Sequence, residues 1–180
     1  KLVMPSLNNI SWERLEKDNH VTYPVKSELI PGEDIIFTNG FPTSNNLAKI
    51  IPVNLINPND ELNSDFPLIL STGRLLEHWH TGTMTRRALV LNELEPDPMI
   101  FMSQVDSNFY NLDLNKSVII ETRRGKISIK IRHDDDLLPG MIFLPFCFKE
   151  AAANILTNSD LDPIGKIPEL KFSAARVYQN

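Results

Sequence analysis

Val118-Ile119-Ile120-Glu121-Thr122, then Arg123-Arg124-Gly125, then Lys126-Ile127-Ser128-Ile129-Lys130-Ile131 is the stretch on which the fold turns. Two β-branched arms flank a short turn with glycine, which is a hairpin signature. The second arm alternates apolar and polar strictly, so one face is buried and the other is wet or bound. Outward from it, Phe66-Pro67-Leu68-Ile69-Leu70-Ser71 reads as an apolar strand halted at Gly73. Pro98–Met102, Met141–Leu144 and Lys171–Val177 read as further strands. Leu138-Pro139-Gly140 reads as a turn, and residues 83–92 mix helical and irregular signals. Glu150–Leu156, with its alanine run, reads as a short helix. Many short strands separated by turns predict a mainly-β chain with short helices, closed into a sheet or barrel.

Residues 1–64 differ in character. Pro5, Pro24, Pro31, Pro42, Pro52 and Pro58 break them up. Ser11 is placed to cap a short helix beginning at Trp12. Ile35-Ile36-Phe37 predicts a short strand ending at Asn39-Gly40. With so little periodicity, 1–64 reads as an irregular arm or connecting segment, and 65–180 as the domain proper.

Composition narrows the function. A length of 180 residues suits one domain plus an arm. The longest apolar runs fall far short of the ~20 residues needed to cross a bilayer, so no membrane segment is expected. No cationic leader followed by an apolar run is visible, which predicts a cytoplasmic protein. One cysteine, Cys147, excludes an iron–sulfur cluster or four-thiolate zinc site held by this chain alone. A net charge of −5 argues against a broadly basic nucleic-acid surface. Residues 1–65 carry five Lys/Arg against nine Asp/Glu, whereas 66–180 are nearly balanced, with arginines bunched at Arg74, Arg86, Arg87, Arg123, Arg124 and Arg132. Bunched arginine in a neutral background suggests local recognition of an anion.

Binding equipment is concentrated in 72–87. Thr72-Gly73-Arg74 sits where a strand ends, where glycine lets backbone amides approach a ligand. His78-Trp79-His80 follows, then Gly82-Thr83-Met84-Thr85-Arg86-Arg87. Hydroxyls, guanidinium groups and an aromatic plane together suit a large anionic cofactor with ring systems. Standing alone, Thr72-Gly73-Arg74 could equally do no more than end a strand. His78 and His80 lack a third metal ligand at a supporting spacing, so no metal site is expected. No nucleophile elbow, dinucleotide fingerprint or phosphate-loop lysine pattern occurs. Cys147 lies in the apolar run Pro145-Phe146-Cys147-Phe148 and reads as an inert buried thiol. The triplet Asp134–Asp136 reads as a solvated loop. No catalytic residue is assigned.

Thr72-Gly73-Arg74, His78 through Arg87, Arg123-Arg124-Gly125, Pro139-Gly140, Ala151–Asn154, Leu156-Thr157, Asp162-Pro163 and Lys171 fall in order at familiar separations. The chain thereby closely resembles the C-terminal cofactor-binding domain of the molybdopterin oxidoreductases. The formate dehydrogenase alpha subunit is the nearest branch and nitrate reductase the next. In the arm, Ile10–Glu16, Val21–Pro24 and Gly40-Phe41-Pro42 agree as well. The 72–87 run is long and highly specific. The resemblance implies a double-psi β-barrel, related to the aspartate-decarboxylase fold and known as domain IV of these enzymes. It also implies a bound molybdopterin guanine dinucleotide carrying molybdenum or tungsten, shared with further domains of a catalytic subunit that can meet electron-transfer subunits. Carried over by position, Thr72, Gly73, Arg74, Leu75, Leu76, Glu77, His78, Trp79, His80 and Thr81 would form the main cofactor-contacting loop. Asn154 and Lys171 match further cofactor contacts, and Phe146 a position near the substrate. The family's metal ligand and its cluster cysteines match nothing here, so the domain alone is expected to be inactive. Asn111–Lys116 departs from the pattern, lacking glycines that relatives commonly have.

Two readings from other classes compete. A self-processing decarboxylase needs a Gly-Ser pair, and no glycine here precedes serine. A nucleic-acid-binding barrel would use Arg123, Arg124, Lys126, Lys130 and Arg132, but no aromatic is interleaved for base stacking.

Overall fold

The apolar runs fold as six strands in a computed structural model that describes residues 3–179. They are β1 (Leu68–Gly73), β2 (Met99–Met102), β3 (Val118–Thr122), β4 (Lys126–His133), β5 (Met141–Pro145) and β6 (Ser173–Tyr178). They close into one barrel in the order β1-β5-β2-β4-β3-β6. β1 runs parallel to β5 and β2 parallel to β4, while the other four pairings are antiparallel. Exchanging β1, β2 and β3 with β4, β5 and β6 leaves every pairing and its sense unchanged. The barrel thus has a two-fold topology, although the sequence shows no repeat. Closure removes the free edges that open sheets must protect. This mainly-β closed barrel with short helices is the architecture that the resemblance implies.

Alternation carries through to burial. Along β4, Ile127, Ile129 and Ile131 point into the core and Lys126, Ser128 and Lys130 outward. They meet Leu68 and Leu70 of β1, Ile100 and Met102 of β2, Val118 and Ile120 of β3, and Ile142 and Leu144 of β5. Fully burying an aliphatic side chain contributes roughly 1.5–3 kcal/mol, so this cluster is the main favourable term.

Three departures from the sequence reading have local causes. Glu150–Leu156 forms two separate 3-10 turns, Lys149–Ala151 and Ala153–Ile155, because Ala152 between them is extended with ψ 109°. Ile35–Phe37 forms bends and turns, not a strand. Phe37 has φ 62°, its carbonyl accepts the Gly40 amide at 3.1 Å, and all three side chains are exposed. Gln104–Phe109 is a helix that no periodicity announces, started by the Ser103 hydroxyl accepting the Asp106 amide at 3.1 Å. Past it, Asn111 takes the left-handed conformation, φ 52°, in the stretch without glycines.

The chain divides into two units, Lys1–Leu55 and Ile56–Asn180, so the compact unit starts earlier than the composition shift at 65 suggests. Asp60 ties the start of this second unit to the barrel. It is buried, and its carboxylate accepts from both Arg123 and Arg124 and from the Ala174 amide at 2.8 Å. In the first unit, helix α1 (Trp12–Asp18) is capped by the Ser11 hydroxyl, as its sequence predicts. From it Arg14 reaches the carbonyls of Asn9 and Ser27, both at 3.1 Å, and of Ile30 at 2.7 Å, which ties this irregular segment together.

Candidate functional site

β1 and β5 end side by side, with Gly73 opposite Pro145. A Cβ on Gly73 would lie 2.3 and 2.6 Å from ring atoms of Phe143, so glycine is needed for the strand to pass this ring. The Gly73 carbonyl accepts the Phe146 amide at 3.1 Å, turning the chain after β5 across the end of β1. Thr72 is buried and its hydroxyl donates to the Leu170 carbonyl at 2.7 Å. Lys171 Nζ donates to the Thr72 carbonyl.

Above this junction lies a cleft of about 280 Å³, lined by Thr72, Thr81, Phe146, Phe148, Lys149, Ala152, Ala153, Asn154 and Leu170. It brings together four of the residues expected from sequence: Thr72, Thr81, Phe146 and Asn154. Lys171 stands beside it through Thr72. Phe148, Lys149 and Leu170 escaped the sequence reading, because only the non-local pairings of β1 with β5 and with β6 bring the chain after β5 and the chain before β6 over the end of β1.

The remainder of the loop lies outside the cleft. Arg74 is exposed, its guanidinium 5.7 Å from the centre of the exposed Trp79 ring. The His80 ring packs edge-on against Trp79 at 4.5 Å. Leu75 and Glu77 are half-buried and Leu76 is exposed. His78 is the exception, being buried with both ring nitrogens engaged. Nε2 lies 2.7 Å from the Glu95 carbonyl oxygen and Nδ1 3.2 Å from the Thr85 hydroxyl, which also accepts the Trp79 amide at 3.1 Å. A carbonyl only accepts, so Nε2 carries the proton and Nδ1 accepts from Thr85 in the neutral ring. In this arrangement His78 fixes the loop from beneath. At Gly82, φ is 73° and a Cβ would lie 2.8 Å from the Cys147 carbonyl oxygen, so the loop's return also needs glycine.

The donor set fits one end of a dinucleotide. The Thr81 hydroxyl, the Asn154 carboxamide and the Lys149 ammonium line an apolar floor, which suits a planar heterocycle with polar edges. A cleft of this size would receive only part of so large a ligand. The rest would follow the 74–81 loop, where Arg74 and Trp79 offer a cation and a ring face.

Elsewhere the chemistry is structural. Burial pushes the Cys147 thiol up to about 11, leaving it protonated and unreactive at neutral pH. The Ser107 hydroxyl lies 2.7 Å from His133 Nε2 but is buried and donates to the Gln104 carbonyl, so it is no exposed nucleophile. Among the described residues, no three His, Cys, Asp or Glu side chains gather as a metal site, and no helix is long and apolar enough to cross a membrane. Arg123 and Arg124 face Asp60, and Arg132 pairs with Glu95 at 2.7 Å. Three of the five hairpin cations thus face the protein's own carboxylates, which weakens the nucleic-acid reading.

The sequence and the fold are shared with known proteins. The chain is 38% identical to the F420-dependent formate dehydrogenase subunit alpha of Methanocaldococcus jannaschii, over 97% of this chain and 26% of the relative. It is 33% identical to a periplasmic nitrate reductase of Campylobacter fetus, over 73% of this chain and 14% of that protein. The chain therefore spans about a quarter or less of the length of these curated relatives. The solved structure of acetylene hydratase from Pelobacter acetylenicus superposes with a TM-score of 0.56 over 64% of this chain and 18% of that one; at 21% identity this speaks for the fold alone. Residues 68–174, from the first strand of the barrel into the last, match the family described as the molydopterin dinucleotide binding domain, and the chain belongs to that family.

Proposed function

We propose that the chain is the cofactor-holding part of a formate dehydrogenase alpha subunit. The cleft over the β1–β5 junction would receive one end of a molybdopterin guanine dinucleotide. The observation that carries this is the convergence of Thr72, Thr81 and Asn154 on one cleft beside the Arg74–Trp79 loop. The bound cofactor would supply the redox chemistry, with molybdenum or tungsten as its metal. The protein's own contribution is position. Asn154 can read a heterocycle edge with paired donor and acceptor, Arg74 can grip a pyrophosphate, and Phe146 walls the side expected to face substrate. The formate reading is preferred over a nitrate reductase because identity and coverage are both higher. The rest of the alpha subunit and its electron-transfer subunits are the expected partners.

Calorimetric titration of the chain with guanosine diphosphate tests the site. Arg74→Ala with Lys171→Ala should weaken binding at least tenfold, as should Asn154→Ala alone, with circular dichroism unchanged. Equal binding by wild type and both variants would remove the assignment.

A further inference from the structure

The cleft has two walls, and they come from different parts of the chain. Thr72 and Thr81 belong to the end of β1 and the loop that leaves it, whereas Phe146, Phe148, Lys149 and Asn154 belong to the segment that leaves β5. Arg86 joins the two walls without lining the cleft itself. Its Nη1 donates to Glu150 Oε2 at 2.7 Å, and its guanidinium lies 4.8 Å from the centre of the Phe148 ring. Among the described residues, this is the only side-chain hydrogen bond between 74–87 and 146–154. The stem of Arg86 is fixed as well. Its amide donates to the Gly82 carbonyl at 2.9 Å, and a Cβ on Gly82 would lie 2.8 Å from both Cγ and Cδ of Arg86. The backbone next to Thr81 therefore packs directly on this arginine. Phe148, buried, also meets the His78 ring edge-on at 5.6 Å, so two residues of 74–87 hold the ring that lines the cleft.

We propose that Arg86 is a positioning residue: paired with Glu150, it sets the width of the cleft by fixing the Phe148 wall against Thr81. This rests on the reading above. As a stabiliser of the fold the pair is modest. The Glu150 side chain is 46% exposed, and ion pairs of this kind contribute little. Arg86 Nε is buried without a hydrogen-bond partner, which is unfavourable. The larger effect is geometric, because one side chain touches both walls at once. The hydrogen bond from Arg86 holds the Glu150 carboxyl below its ordinary value of 4.5, so it is ionised at neutral pH.

Titration of the chain with guanosine and with guanosine diphosphate, alongside thermal melting, tests it. Arg86→Met keeps a stem of similar length and removes the pair, and Glu150→Ala removes it from the other side. Each should weaken both ligands alike, by about fivefold, as expected when a contact supporting a site from behind is lost. The double variant should bind no more weakly than Arg86→Met, because both changes break one contact. Arg86→Lys retains stem and charge and should return to within about twofold of wild type. All four variants should melt within about 4 °C of wild type, in keeping with the modest worth of the pair. A lysine variant as weak as the methionine one, or fully additive losses in the double variant, would overturn the assignment. So would a gain in guanosine diphosphate affinity on Glu150→Ala with guanosine unchanged, which is what a freed Arg86 gripping the phosphates itself would produce. If wild type binds and Arg86→Met matches it, only the positioning role falls; if wild type binds neither ligand, the functional reading falls and takes this one with it.

Discussion

Gly73 ends β1 beneath the Phe143 ring, which itself packs edge-on against Phe101 with centroids 5.9 Å apart. Gly73→Ala must push that ring aside, and overpacking of this kind costs about 1–3 kcal/mol. The expected outcome is a lower urea midpoint with an unchanged slope, together with weaker guanosine diphosphate binding as the junction under the cleft opens. A midpoint equal to wild type would show that the ring yields freely. The need for glycine here was legible in sequence, but its cause was not. It was read as a way for amides to reach a ligand, whereas the structure adds a side chain from a strand about seventy residues away. His78 carries a related lesson. Its place in a motif suggested ligand contact, and only the fold reveals that Thr85 and Glu95 occupy both of its nitrogens.

At the level of elements, the β3–β4 turn and β6 are joined through Asp60. Burial pushes the Asp60 carboxyl up, but hydrogen bonds from Arg124, the Ala174 amide and Arg123 outweigh it and hold the group below its ordinary value of 3.8. The unfolded chain therefore takes up this proton more readily than the folded one. The stabilisation is complete above about pH 4 and is lost as pH falls through the lower, folded value. Asp60→Asn removes the charge facing two guanidinium groups. It should cost about 3 kcal/mol near neutral pH, at the lower end for breaking a buried pair because both arginines are partly exposed. It should also flatten the decline in stability below pH 4. Chemical denaturation at pH 7 and pH 3 measures both effects, and parallel acid curves for wild type and variant would refute the assignment. The hairpin itself was readable from alternation, because each arm carries its own pattern. Asp60 was not, since a single acidic residue in a proline-broken stretch gives no hint of a partner more than sixty positions on.

For the whole molecule, the consequence concerns where the barrel unit begins. A chain starting at Ile56 retains Asp60, whereas one starting at Asp65, the boundary suggested by composition, loses it. The shorter chain should unfold at a stability about 3 kcal/mol lower, measured by urea titration of the two truncations; equal stabilities would return the boundary to 65. Mainly-β closure was legible because strand periodicity is local, while strand order and the two parallel pairs depend on crossings that no window of sequence contains. Those crossings carry a last implication. The exchange of β1–β3 with β4–β6 maps the paired ends of β1 and β5 onto those of β4 and β2, so the barrel owns two topologically equivalent mouths. At one, His133 at the end of β4 meets Ser107 and the Asp134 amide donates back to the Met102 carbonyl at 3.0 Å, beside a hollow of about 340 Å³ lined by Ser103, Gln104, Asp135 and Pro139 among others. At the other, glycine stands where this one has histidine, and the cleft over Thr72 and Asn154 opens there. A single scaffold symmetric in its wiring thus carries differently lined hollows at equivalent places, and the one beside β2 and β4 offers protein engineers a ready position at which to build a second receptor.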